Sequence, residues 1–272
     1  MLIDSHLHLW PARLGRYHWR RADARLDLPC LPQRLRLEAP GLALNGAIHV
    51  EAGYDNDNPG AELHWLKGLR TSTGLPTAVV AGAELRDQGT LDELAELGAR
   101  GVRHIVEDAA WLQDPNWRLG FARLGELGLG FDAQLPPGDW PALKALAELC
   151  DAHPSTRVIL NHGGFAPLAD QGQWHHWQQA MAALAARPQV AVKLSGLAMM
   201  KPDWSLDDGR RLLDALLALF GDARVMLGSN FPVEPGRYGD IWQRLLALVA
   251  TQPEVSRQRL LAGNARHWYR LP

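Results

Sequence analysis

Met1-Leu2-Ile3-Asp4-Ser5-His6-Leu7-His8-Leu9-Trp10 opens the chain. The segment reads as a short buried strand, and because strand side chains alternate faces, His6 and His8 project the same way, with Asp4 expected on their face. Two imidazoles on one face can share a metal ion or hold a polarised substrate oxygen. A packed core has no use for two such polar rings. A lone His-x-His is more often a pair of solvent-facing histidines, so the weight of this strand depends on its polar company further along the chain.

Seven more apolar runs bounded by Gly, Pro, Asp or Asn occur at 46–50, 77–83, 101–106, 129–134, 157–161, 190–195 and 224–229, and with the first run at 2–9 they make eight strands. Helical periodicity separates them. Starts are marked by Asn58-Pro59, by Thr90-Leu91-Asp92-Glu93, by Asp139 before Trp140 and by Ser205-Leu206-Asp207-Asp208, and stops by Gly74, Gly98, Gly128 and Gly221. Strands spaced by helices imply parallel pairing, and eight such units predict an α/β fold, a (β/α)8 TIM barrel in one domain over 1–272. An open doubly wound sheet fits less well, because no Gly-x-Gly-x-x-Gly follows an early strand.

Residues 11–41 interrupt the alternation with Arg13, Arg16, Tyr17, His18, Trp19, Arg20, Arg21 and Arg25, and with one short helix near 33–38. A long loop after the first strand hangs over the mouth of a barrel, so a lid suited to a small anionic substrate is expected, the alternative being a solvated loop with Trp19 tucked beneath it. Of the 11 tryptophans, Trp10, Trp19, Trp111 and Trp204 fall where loops are expected, as packing or as walls of a substrate pocket.

The formal net charge is −2 with no Lys/Arg block, which argues against nucleic acid as a partner. No apolar run reaches the length of a membrane span, so no membrane partner is expected. Cys30 and Cys150 are the only cysteines, with no C-x-x-C and no leader ahead of Asp4, and a cytoplasmic location with reduced thiols is the expectation. Nothing fixes the oligomeric state, and a homo-oligomer stays open.

In a barrel of this kind the carboxyl ends of the strands converge, and polar residues there are site candidates. Those ends carry His6 and His8, His49 and Glu51, Arg103 and His104, Asp132 and Gln134, His162, Lys193 and Ser195, and Asn230. Few soluble cores hold so many polar groups by accident. Alternation puts His49 with Glu51, Asp132 with Gln134 and Lys193 with Ser195 on common inward faces, and on that parity Arg103 faces in and His104 out. Plainer readings stand beside these: Lys193 pairs with Asp132 as a buried ion pair, Ser195 bonds backbone, and His104 is structural. Gly163-Gly164 after His162 suits a tight turn or close approach to a ligand, and no Gly-x-Ser-x-Gly occurs.

Taken together, Ile3 to Trp10, His49-Val50-Glu51-Ala52, Arg100-Gly101-Val102-Arg103-His104, Leu160-Asn161-His162-Gly163-Gly164, Val192-Lys193-Leu194-Ser195-Gly196-Leu197, Met226-Leu227-Gly228-Ser229-Asn230-Phe231-Pro232-Val233 and Asn264-Ala265-Arg266 resemble, in order, the amidohydrolase-2 branch of the amidohydrolase superfamily. More narrowly they resemble its sugar-lactonase and pyrone-dicarboxylate-lactonase group. The resemblance implies a barrel enzyme opening a small lactone with water, with His6 and His8 as the first-strand pair and His162 as the sixth-strand histidine. Asn230 departs from the pattern by standing where many relatives carry an aspartate, and an amide cannot ionise or act as a base.

The expectation is therefore a hydrolase acting on a small sugar-acid or dicarboxylate lactone. His6, His8 and His162 polarise the carbonyl, directly or through one divalent ion; Asp132 or Glu51 activates water; Arg103, His49, Lys193, Gln134, Trp10 and Trp19 bind substrate. Three histidines with Asn230 as a poor fourth ligand predict a single weak zinc-type site or none. A lactone isomerase, or a catalytically idle lactone-binding protein, is the alternative.

Overall fold

The computed structural model describes residues 1–11, 23–55 and 57–272. All eight expected runs form strands: β1 (Leu2–Leu7), β2 (Leu44–Val50), β3 (Ala78–Gly82), β4 (Gly101–Arg103), β5 (Gly130–Ala133), β6 (Arg157–Leu160), β7 (Val190–Leu194) and β8 (Val225–Leu227). They pair in chain order in one parallel sheet. The ends meet through a parallel bridge between Leu7 and Phe231, with His8 N donating to Phe231 O (2.9 Å) and Asn230 N to His6 O (2.7 Å). The result is a (β/α)8 barrel.

Helix α1 (Pro32–Glu38) precedes β2, and α2 (Pro59–Thr73), α3 (Gln88–Glu96), α4 (Pro115–Leu127), α5 (Trp140–Ala152) and α6 (Trp174–Ala185) follow β2 to β6 in turn. Helices α7 (Leu197–Met200) and α8 (Leu206–Phe220) follow β7, α9 (Tyr238–Val249) follows β8, and α10 (Glu254–Gln258) and α11 (Asn264–Trp268) end the chain. The expected caps form at Asn58, at Asp139 and in the Ser205/Asp208 capping box. At α3 the helix begins earlier than the Thr90 motif suggests, because the Asp87 carboxylate takes both the Thr90 amide and its hydroxyl.

Two apolar layers fill the molecule. Ile3, Ile48, Val50, Val80, Ile159 and Met226 pack inside the barrel against Trp268 and Tyr269 at the chain's end, while alternate strand residues such as Leu7, Val102, Phe131 and Val192 pack outward against the helices. Two expectations of parity fail. A register irregularity between Asp4 and Leu7 flips the face, so His6 and His8 turn to the mouth while Asp4 turns outward, accepting from Tyr238 Oη (3.0 Å) and Trp242 Nε1 (3.3 Å) of α9. On β2 it is Ile48 and Val50 that fill the barrel, which leaves His49 between them facing α2.

Residues 12–22, with Trp19 and most of the arginines of the expected lid, lie outside the described residues. The remainder of that loop carries a short turn of helix at Ala24–Leu26 and then α1, and Trp10 and Cys30 exchange two backbone hydrogen bonds of 3.0 Å. Among the described residues no helix is long and apolar enough to cross a membrane. Both cysteines are buried and free.

Candidate active site

A cavity of about 640 Å³ opens at the carboxyl ends of the strands, lined among others by His8, Glu51, Glu62, Arg103, Gln134, His162 and Asn230. His6 does not line it but packs beside it, its ring centroid 5.1 Å from that of His8 and 4.7 Å from that of His162. Close approach here depends on glycine. A Cβ on Gly196 would lie 2.6 Å from His162 Nδ1 and 3.2 Å from Asn230 Nδ2, and one on Gly228 would lie 2.6 Å from His6 Cβ. His162 and Asn230 themselves hold positive φ (both 52°), a conformation asparagine tolerates better than most residues.

The contacts assign the imidazoles different tasks. His8 Nδ1 faces two carbonyls, Val50 O at 2.8 Å and Glu51 O at 3.1 Å, so it carries the proton and leaves Nε2 as an acceptor. His6 Nδ1 instead lies 3.4 Å from Lys193 Nζ, and an ammonium can only donate. The His6 proton therefore sits on Nε2, which is buried and has no hydrogen-bond partner among the described residues. His162 Nδ1 meets Ser195 Oγ at 3.0 Å. Burial, then the neighbouring charges of Lys193 and Arg103 among others, holds His6 and His162 well below the ordinary histidine range, and burial followed by Arg103 lowers His8 to about 3. Three neutral rings thus sit in a positive field.

That field has two sources. Lys193 and Asp132 form a fully buried ion pair, with Tyr269 Oη donating to both Asp132 oxygens (2.8 and 3.1 Å). Arg103 donates from Nε to Glu51 Oε1 (2.7 Å), from Nη2 to Glu51 O (2.8 Å) and from Nη1 to Gln134 Oε1 (3.1 Å). Burial alone would raise the Glu51 carboxyl, but the Arg103 charge and hydrogen bond carry it below its ordinary value. Glu62 shows the opposite balance. Its burial, reinforced by the Glu51 charge, pushes it up to about 8.

Several expected roles change with these positions. Asp132 and Lys193 are sealed into the ion pair and neither lines the cavity, which speaks against the expected roles of base and substrate ligand. His49, expected to bind substrate, does not line the cavity: its Nδ1 accepts from Leu9 N just beyond β1 (3.0 Å), and its Nε2 faces Glu62 of α2 (3.3 Å). Trp10 is fully buried, its Nε1 donating to Leu28 O (2.9 Å), so it packs rather than binds. Trp111 and His104 both line the cavity, His104 also accepting from Trp117 Nε1 (3.0 Å), while Trp204 is buried and donates to Glu234. Glu62 was not singled out by sequence, because an acid in the first turn of a helix reads as a helix-start residue; the apolar spacing of Leu63 and Leu66 about it was the available sign that it faces inward.

The same contacts test the expected zinc ligands. Among the described residues no group of three His, Cys, Asp or Glu side chains is placed to hold one ion. In that tautomer His6 offers a proton rather than a lone pair, and the fourth position is the neutral Asn230. The His6, His8 and His162 set does not fit a three-histidine metal site as placed.

Comparison with known proteins identifies the family. The chain belongs to the amidohydrolase family, whose model matches residues 3–271, and it is a hydrolytic enzyme of that family. It is 30% identical to the L-fucono-1,5-lactonase of Burkholderia multivorans, over 99% of this chain and 96% of that protein, and 29% identical to the L-fucono-1,5-lactonase of Burkholderia ambifaria, over 99% and 95%. Among solved structures it is similar to an amidohydrolase from Burkholderia multivorans with bound zinc, at 28% identity, a TM-score of 0.85 and full coverage of both chains.

Proposed function

We propose that this chain hydrolyses the ester of a small lactone, and that a neutral, hydroxyl-rich ring suits it better than a dicarboxylate. The observation that carries the choice is Arg103. It is the only Lys or Arg among the described residues lining the cavity, and its guanidinium is already taken by Glu51 and Gln134. Glu84 and Glu107 add acid to the same lining, so an extra substrate carboxylate would meet repulsion rather than a clamp. The lactonase relatives support this reading.

In the proposed reaction the ionised Glu51 and the acceptor Nε2 of His8 orient a water, and Glu51 takes its proton. The carbonyl oxygen takes a hydrogen bond from the Asn230 amide, and the charge that develops on it lies in the field of Lys193 and Arg103. That field replaces the help expected from polarising histidines acting as a set of three. Because Asn230 cannot ionise, it serves as a donor, and the base is a different residue. Proton release from a panel of lactones tests the substrate class. Neutral sugar lactones are expected to exceed dicarboxylate lactones in kcat/KM by at least about tenfold, the equivalent of ~1.4 kcal/mol; the reverse order would overturn the reading of Arg103.

A further inference from the structure

Glu51 and Glu62 are two carboxyls on one cavity wall with opposite surroundings. Glu51 is held ionised by Arg103, whereas Glu62 of α2 is buried, has no hydrogen bond from an arginine or lysine among the described residues, and accepts from the backbone of Ala52 (N at 3.0 Å) and Tyr54. On its far side stands His49. Because His49 Nδ1 accepts from Leu9 N, its proton lies on Nε2, which is buried, makes no hydrogen bond among the described residues and sits 3.3 Å from Glu62 Oε1. A carboxylate left on Glu62 once the proton has gone would lie within reach of that N–H.

We propose that Glu62 is the general acid of this site, handing its proton to the ring oxygen as the lactone opens, with His49 as a positioning residue that stabilises the carboxylate left behind. The inference rests on the lactone-hydrolysis reading. Water forms the new C–O bond at the carbonyl carbon and gives a proton to Glu51; the acyl–oxygen bond of the ring breaks; the leaving oxygen takes the Glu62 proton and becomes a hydroxyl. Glu51 releases its proton to solvent and Glu62 regains one, so the net change is lactone and water to hydroxy acid. The groups facing Glu62 are Glu51 and His49 of the β2 end and Arg103 of β4. Of these, Glu51 raises its affinity for a proton, as burial does, and Arg103 opposes them. Opposed environments on paired carboxyls are the arrangement by which one serves as base and the other as acid.

The test is leaving-group dependence in Glu62→Gln, with Glu62→Asp as the conservative partner and thermal melting to confirm folding. An alkoxide leaving group needs a proton and a phenolate far less, so Glu62→Gln should lose about 10²-fold or more in kcat on an aliphatic lactone yet under about fivefold on dihydrocoumarin. The fall in wild-type kcat/KM above pH about 8 should vanish in the variant, because Glu62 must be protonated to act. Glu62→Asp should recover part of the aliphatic rate. Equal losses on both lactones, or an unchanged alkaline limb, would overturn the proposal and leave Glu62 as a latch on the β2–α2 loop. If wild type turns over neither lactone, the hydrolase reading itself fails, an outcome separate from these.

Discussion

Replacing Asp132 by Asn separates a buried ion pair from a catalytic base. In the fold Asp132 accepts from Lys193 and Tyr269 with no exposure to solvent, so the variant leaves a buried ammonium without its counter-charge. Removing one partner of a buried pair costs about 3–5 kcal/mol, and the retained amide oxygen places this case near the lower end. At roughly 2–4 °C per kcal/mol for a chain of this size, Asp132→Asn should melt about 6–12 °C below wild type. Lys193→Met should also destabilise, since it strands the carboxylate. The double variant Asp132→Asn with Lys193→Met removes both charges and should return to within about 1 kcal/mol of wild type. Calorimetry of the four proteins measures the cycle, and pH-rate profiles below each melting transition accompany it. Because Asp132 does not take the water's proton, the acidic limb of the Asp132→Asn profile should stay in place. A double variant as unstable as the two singles summed, or an acidic limb abolished by Asp132→Asn, would refute the reasoning.

His8→Ala should lower kcat/KM by about 10²–10⁴-fold while shifting the melting temperature only by the roughly 1 kcal/mol of an unpaired Val50 carbonyl, and comparing rates with melts decides it. Arg103→Lys keeps a positive charge but cannot reproduce three directed donors, so Glu51 loses the Nε hydrogen bond that helps to lower its pKa. Since Glu51 must be ionised to accept a proton, the acidic limb of kcat/KM should move to higher pH in that variant; an unmoved limb would take Glu51 out of the base role.

The barrel was legible because its signal is periodic. The apolar runs sit between Gly, Pro, Asp or Asn breaks, and all eight recur as strands, those at 101–106 and 224–229 shortened to Gly101–Arg103 and Val225–Leu227. Parity was legible where strands are regular, as at Arg103, Gln134 and Lys193. It failed at Asp4, where an irregular register flips one face, and at His49, where Ile48 and Val50 claim the interior. Whether a charged residue inside a barrel meets substrate or another side chain is a matter of depth, which sequence does not encode. Asp132 and Lys193 lie on neighbouring parts of the inner face yet below the cavity, tied to a tyrosine some 137 positions away in the chain. Glu62 was hidden for a related reason: its neighbours His49 and Glu51 come from a different element, and only the fold brings them together.

The central claim is that water opens a lactone ring in this cavity, and counting protons tests it most directly. A hydroxy acid formed at neutral pH ionises fully, because its carboxyl pKa lies well below seven. In a weakly buffered assay at pH 7, with substrate loss measured by chromatography, one proton should be released for each sugar lactone consumed. Intramolecular acyl migration conserves protons. Lactone consumed with no acid released would contradict hydrolysis and make the chain an isomerase.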